Sequence, residues 1–253
     1  MRIAILQTSP ILGEKELNLR DLDNLIGGGN GSDIYILPEM FNTALVQEAA
    51  LVAESMDGET IQWMKQKAAN LNAAIMGSLA ICEDNKVYNR LCFVKPDGEV
   101  EYYDKRHLFT YAGEGKYITP GYARKVVTFR GLRIMLQVCY DLRFPVFVRN
   151  RDDYDMIVYV ASWPVARKIA WNTLIRARAI ENQCFVAAVN RVGVDQYGIY
   201  SGDSVIINPY GENVVAAQEG KVEMVSAELD IEKMIHFREK FPVLDDADTE
   251  LFM

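Results

Sequence analysis

A chain of 253 residues, half of them apolar, is long enough to bury a sizeable core, and the expectation is a single domain over residues 1–253 with a polar tail from about 241. Its formal net charge of -8 offers no basic footprint, which excludes nucleic acid as an expected partner. No apolar run approaches the roughly 18 residues of a membrane span and the N-terminal run is too short for a signal peptide, so the reading is of a cytoplasmic protein that does not enter membranes.

RIAILQTSP (2–10) reads as a buried strand, followed by ELNLRDLDNLI (16–26), whose leucines recur at helical spacing until Gly27, Gly28 and Gly29 stop the helix. The GGGN run follows a helix instead of opening one, so it is a turn and not a phosphate cradle. DIYILPEMF (33–41) is a second strand, ended by Pro38, with Glu39 at its carboxyl end. A helix around 59–72 precedes a strand at AAIMGSLAIC and another at VYNRLCFVKPDGEV, whose PDG marks a turn. A further strand is expected over VEYYDKRHLF (100–109), carrying Lys105.

RIMLQVCYDLRFP (133–145) begins as a buried strand and stops at Cys139, with charged and turn-forming residues behind it. Then come a strand at DMIVYVASW (155–163), a helix around 171–182, and strands at QCFVAAVNRV, SGDSVIINPYGE and KVEMVSAELD. The charged segment from Ile231 starts as a short helix and ends in DDADTELFM, too polar for the core.

The two halves match in order. RIAILQT pairs with RIMLQVC, DIYILPEMF with DMIVYVASW, NAAIMGSLAI with QCFVAAVNRV, and YNRLCFVKPDGEV with YSGDSVIINPYGENV. An internal β-α-β-β duplication with a pseudo-twofold explains this. The helices each have one apolar face, so they should cover the outer faces of two packed sheets, an α/β fold of the α-β-β-α sandwich type.

Cys82, Cys92, Cys139 and Cys184 show no C-x-x-C spacing and are expected to be thiols. His107 and His236 form no pair at metal-ligand spacing, so no metal site is expected. Glu39, Lys105 and Cys139 each stand at or just past a strand end, where open α/β sheets place their chemistry. The duplication sets the ends of the first two strands of each half side by side, so Glu39 and Cys139 should face one crevice. A thiolate is a nucleophile, a nearby ammonium lowers its pKa, and a carboxylate can take its proton. Residue spacing alone leaves open a structural alternative, a buried Glu39–Lys105 ion pair with Cys139 as filler.

The set LPEMF, YDKRHLF and CYDLRFP resembles the Glu-Lys-Cys triad of the nitrilase superfamily of carbon-nitrogen hydrolases, over essentially the whole chain. The stretches KRHLF, CYDLRFPVFVRN, YVASWP, RARAIENQ and YSGDSVIINPYGE are most similar to omega-amidases, which hydrolyse the side-chain amide of 2-oxo acids. The resemblance implies a cysteine amidase with no cofactor, acting on a small-molecule amide and assembled as a homodimer or larger homo-oligomer. It implies that Glu114, six residues before Pro120-Gly121, orients Lys105 or shares proton transfer. His107 and Asp141 lie inside matching motifs and are read as structural partners.

In this mechanism Lys105 and the backbone N–H of Tyr140 supply the oxyanion donors. Arg143, four residues past the nucleophile, is the candidate for a substrate carboxylate, with an ion pair to Asp141 or Asp155 as the alternative. Phe109, Tyr111 and Trp163, each taken to lie near a strand end, are candidates for the apolar walls. Another aliphatic amide or N-carbamoyl hydrolase of the same superfamily, or a catalytically silent scaffold, remain the competing functions.

Overall fold

The computed structural model describes residues 1–248; the last five residues of the expected polar tail lie outside the described residues. The chain opens with β1 (Arg2–Gln7), α1 (Lys15–Ile26), β2 (Ile34–Ile36), α2 (Glu59–Leu71), β3 (Ala74–Glu83), β4 (Lys86–Val94) and β5 (Val100–Asp104). The second half holds β6 (Val126–Phe129), β7 (Leu132–Val138), the short α3 (Pro145–Val148), β8 (Met156–Ala161), α4 (Lys168–Glu181) and β9 (Phe185–Asn190). A hairpin of β10 (Val192–Asp195) and β11 (Gly198–Ser201) precedes β12 (Val205–Ile207), β13 (Asn213–Ala216), β14 (Glu223–Glu228) and α5 (Ile231–Lys240).

Apart from the two-stranded β10–β11 hairpin, the described strands form two six-stranded sheets, ordered β14-β1-β2-β3-β4-β5 and β6-β7-β8-β9-β12-β13. Written this way the sheets correspond strand for strand. In each, the second, third and fourth strands run parallel and the outer pairings are antiparallel. The duplication read from the sequence is therefore a duplication of sheet topology, with β14 returning from the far end of the chain to pair with β1.

Strand alternation divides the core into three layers. Ile3 and Ile5 of β1 face Ile134, Leu136 and Val138 of β7 in a seam between the sheets. Ala4 and Leu6 point the other way, onto Leu19, Leu22 and Ile26 of α1 and Ile61, Met64 and Ala68 of α2. On the opposite sheet Ile157, Tyr159 and Ala161 of β8 meet Trp171, Ile175 and Ala179 of α4. Strands buried on both faces are apolar almost throughout, which is why they read as continuous runs. Helix residues three and four apart share one buried face, and the result is an α-β-β-α sandwich.

Two strand boundaries differ from the expectation in ways that matter for the site. The strand expected over 100–109 stops at Asp104, so Lys105 leads a loop. Gly121 donates its N–H to the Lys105 carbonyl at 2.9 Å, and a Cβ at Gly121 would meet the Asp104 carbonyl at 2.2 Å, so only glycine permits this approach. Regular pairing of β2 likewise ends at Ile36, but Leu37–Phe41 continues over β3, with Leu37 N–H donating to Met76 O at 2.7 Å and Met40 N–H to Ser78 Oγ at 3.1 Å. The strand expected over QCFVAAVNRV breaks after Asn190, and β6, β13 and the β10–β11 hairpin are additional short strands.

Candidate active site

β7 lies inside the second sheet, paired to β6 on one side and β8 on the other, so its path is fixed up to Val138. Immediately afterwards Cys139 adopts φ +47°, and the chain turns into a short 3-10 helix over Cys139–Arg143. A non-glycine residue in the left-handed region is a strained position that persists only where its surroundings hold it. Asp141 does much of that holding. Buried, it accepts from Val138 N–H at 3.0 Å, Tyr103 OH at 2.9 Å and His107 N–H at 2.9 Å, and lies 2.7 Å from His107 Nδ1. Tyr103 and His107 flank Lys105, so one carboxylate ties the turn at Cys139 to the loop that carries the lysine. The His107 ring in turn stacks on Phe144, with centroids 3.9 Å apart.

Lys105 is itself buried and gripped by two carboxylates. Its Nζ lies 3.0 Å from Glu39 Oε1 and 2.9 and 3.0 Å from the two oxygens of Glu114. Glu114 reaches it from a 3-10 turn over Glu114–Lys116 and also accepts the Phe109 N–H at 2.5 Å. Burial pulls the ammonium down, but Glu114 and then Glu39 outweigh it and hold the Lys105 pKa well above its ordinary value, so it stays charged.

Glu39 is 1% exposed and fully engaged. Besides Lys105 it accepts from Asn89 Nδ2 at 2.8 Å and, through Oε2, from the Ser162 N–H at 2.9 Å. Asn89 and Ser162 carried no signal in the sequence reading. Asn89 is an inward-facing polar residue within β4, and Ser162 contributes a backbone group that any residue type possesses.

The Cys139 thiol departs from the sequence expectation in one respect. Its pKa is held well above the ordinary value by burial and by the Glu39 carboxylate, while Lys105 and the Ser162 N–H pull the other way and lose. The ammonium therefore does not make a free thiolate here; the sulfur holds its proton beside a carboxylate able to receive it.

These groups open into one cavity of about 220 Å³, and Glu39, Lys105, Glu114, Cys139, Tyr140, Arg143, Phe109, Tyr111 and Trp163 all line it. Tyr111 departs from its expected place: it sits in a 3-10 turn over Thr110–Ala112, not near a strand end, and is 89% exposed at the mouth. Phe109 also lies in the loop beyond β5, whereas Trp163 is buried two residues past β8. Arg143 packs over Trp163, its guanidinium carbon 5.1 Å from the ring centroid. The alternative ion pairs for Arg143 are not formed, because Asp141 is taken by His107 and Asp155 by Arg133 and Arg238. Tyr197 of the β10–β11 turn, Tyr200 of β11 and Arg167 add wall residues that the sequence reading did not anticipate.

Among the described residues no group of three or more His, Cys, Asp and Glu could hold a metal ion, and no helix is long and apolar enough to cross a membrane.

Comparison with known proteins places this arrangement. Residues 2–239 match the carbon-nitrogen hydrolase family. The chain is 44% identical over 249 residues to the omega-amidase YafV of Escherichia coli strain K12, covering 98% of this chain and 97% of that one. It is 34% identical over 227 residues to the 2-oxoglutaramate amidase of Bacillus subtilis strain 168, covering 87% of each. Among solved structures, XC1258 of Xanthomonas campestris, described as a CN-hydrolase superfamily protein with an arsenic adduct in its active site, superposes with a TM-score of 0.93 at 43% identity, covering 98% of this chain and 97% of that one. A duplicated α-β-β-α sandwich, a cysteine in a strained turn beside a buried Glu–Lys pair and near full-length similarity agree: the chain belongs to the carbon-nitrogen hydrolase family.

Proposed function

We propose that this hydrolase cleaves the omega-amide of a small 2-oxo dicarboxylic acid monoamide, releasing ammonia and the 2-oxo acid through a thioester on Cys139. Glu39 accepts the thiol proton as sulfur attacks the amide carbon. The oxyanion that forms is met by the Lys105 ammonium and the N–H of Tyr140. Collapse breaks the carbon–nitrogen bond, and Glu39 returns the proton to the departing ammonia. Glu39 then takes a proton from water, whose oxygen attacks the thioester; the acid leaves and the thiol is restored. Glu114 holds Lys105 in place by its paired contacts.

The raised thiol pKa supports this order of events, because a protonated nucleophile needs a base at the moment of attack and Glu39 is the carboxylate that acts on it. The observation that carries the substrate assignment is Arg143, a guanidinium on the cavity wall without a carboxylate partner among the described residues. A 2-oxo acid presents a carboxylate that such a fork matches with two hydrogen bonds. The names of the relatives, an omega-amidase and a 2-oxoglutaramate amidase, support the same substrate class. A homodimeric assembly, with Ile169 exposed on α4 and Val165 exposed in the turn before it, is part of the same proposal, and sedimentation would decide it.

The experiment is ammonia release from 2-oxoglutaramate, 2-oxosuccinamate, glutamine, N-carbamoyl-β-alanine and a simple nitrile. The 2-oxo acid amides should be the best substrates. A preference for the nitrile or the carbamoyl compound would overturn the proposal.

A further inference from the structure

The cavity carries a second guanidinium for which the bond-breaking chemistry has no use. Arg167 ends the 3-10 turn over Val165–Arg167, and its guanidinium carbon lies 5.0 Å from the centroid of the Phe109 ring. The Arg167 carbonyl accepts Trp163 Nε1 at 2.9 Å, and the Trp163 ring is the one that supports Arg143. The two arginines are thus seated on separate aromatic rings and held in relation to each other through Trp163. Among the described residues neither has a carboxylate within the 4.0 Å of an ion pair. The carboxylates of the cavity, Glu39 and Glu114, are both committed to Lys105. With Cys139 protonated, the lining holds three cations against two carboxylates, one positive charge in excess.

We infer that Arg167 is a specificity-determining residue: together with Arg143 it receives the 2-oxo carboxylate end of the substrate and excludes omega-amides that bear an α-ammonium group. The inference rests on the omega-amidase reading above. One guanidinium cannot make this distinction, since 2-oxosuccinamate and asparagine both offer a carboxylate. The two compounds differ at the neighbouring carbon, where one has a carbonyl oxygen and the other an ammonium. A carboxylate beside a carbonyl is an array of acceptors only, enough for two guanidinium forks. An ammonium in the same place adds a fourth cation to a confined, largely aromatic pocket, where like charges repel more strongly than in water.

The test uses full-length enzyme as parent, Arg167→Met and Arg143→Met, with 2-oxosuccinamate, asparagine and butyramide as substrates. In Arg167→Met, kcat/KM for 2-oxosuccinamate should fall about ten- to hundredfold, mainly through KM, the loss expected for one hydrogen-bonded charge contact. Butyramide turnover should change by less than about threefold, and the preference for 2-oxosuccinamate over asparagine should narrow about tenfold. A second readout needs no substrate: alkylation of Cys139 by anionic iodoacetate and by neutral iodoacetamide, followed on the Cys139 peptide by mass spectrometry. The iodoacetate to iodoacetamide rate ratio should drop in Arg167→Met.

An unchanged ratio with unchanged discrimination, or an equal loss on all three substrates, would overturn the inference and leave Arg167 to the scaffold. If the parent itself does not prefer 2-oxosuccinamate to butyramide, the substrate assignment fails first, and the inference with it. A parent preference that survives Arg167→Met and vanishes in Arg143→Met overturns the role of Arg167 alone.

Discussion

The backbone N–H of Ser162, just past the end of β8, donates to Glu39 Oε2 at 2.9 Å, so one half of the duplicated fold orients the carboxylate supplied by the other. The carboxylate's other oxygen is shared by Lys105, from the loop beyond β5, and Asn89, from β4. Glu39 thus sits between three donors on three segments, and its orientation is a property of the sheet pairing.

The Asn89 side chain donates its hydrogen bond to the carboxylate, while its backbone carbonyl accepts the Lys105 N–H at 2.9 Å, so a side-chain substitution is the cleanest handle on that orientation. Its Nδ2 donates to Glu39 while its Oδ1 is buried without a partner among the described residues. Replacing it by leucine removes one good contact and one unsatisfied atom, so stability should change by no more than about 1 kcal/mol. kcat should fall about tenfold or more as Glu39 loses its fixed pose. Thermal melting with steady-state kinetics checks both; an unchanged kcat would deny Asn89 any positioning role.

Glu39 also raises the pKa of the thiol, which gives a second test. Burial is the larger cause, but the carboxylate adds to it by opposing a nearby thiolate. Glu39→Gln removes that negative charge, so the Cys139 pKa should move down and the pH profile of its alkylation by iodoacetamide should shift toward lower pH. Turnover should meanwhile collapse, because the proposed base is gone. A profile that stays in place or shifts upward would mean that Glu39 does not act on the sulfur.

Far from the site, Asp155 sets a part of the acid stability. It joins the start of β8 to the start of β7, accepting from Arg133 Nε at 3.0 Å and Nη2 at 2.7 Å and from Arg238 Nη1 at 3.2 Å. Burial raises its pKa, but the Arg133 hydrogen bonds and the Arg133 and Arg238 charges more than offset this, and the carboxyl is held below its ordinary range. A depressed carboxyl contributes stability above its unfolded value, about 3.9, and loses it as pH falls through the lower folded value. Asp155→Asn should therefore be less stable than the parent at pH 7, with the gap closing below about pH 4. Urea unfolding across pH 2.5–7 reads this; a gap independent of pH would assign the loss to packing instead.

The strands were legible because burial on both faces demands apolar runs, and the order of those runs repeats in the two halves. Glu39, Lys105 and Cys139 stood out because each is a reactive type at the point where such a run stops. What stayed hidden has a physical reason in each case. Ser162 acts through its backbone. Asn89 lies within a strand, where an isolated polar residue has no periodic signature. Arg167 follows Trp163-Pro164 at the end of the β8 run, a position that could have been singled out, but its lack of a carboxylate partner among the described residues is a fact of tertiary structure. The β10–β11 hairpin fell between the strands read at QCFVAAVNRV and SGDSVIINPYGE, where Gly193 and Gly198 carry no strand signature.

The most direct test of the central claim is ammonia release from 2-oxosuccinamate by Cys139→Ala beside the parent, with folding matched by circular dichroism. A nucleophile that forms the acyl-enzyme cannot be replaced by a methyl group, so the rate should fall by about 10⁴-fold or more while the melting curve remains cooperative. Turnover within tenfold of the parent by folded Cys139→Ala protein would contradict the account.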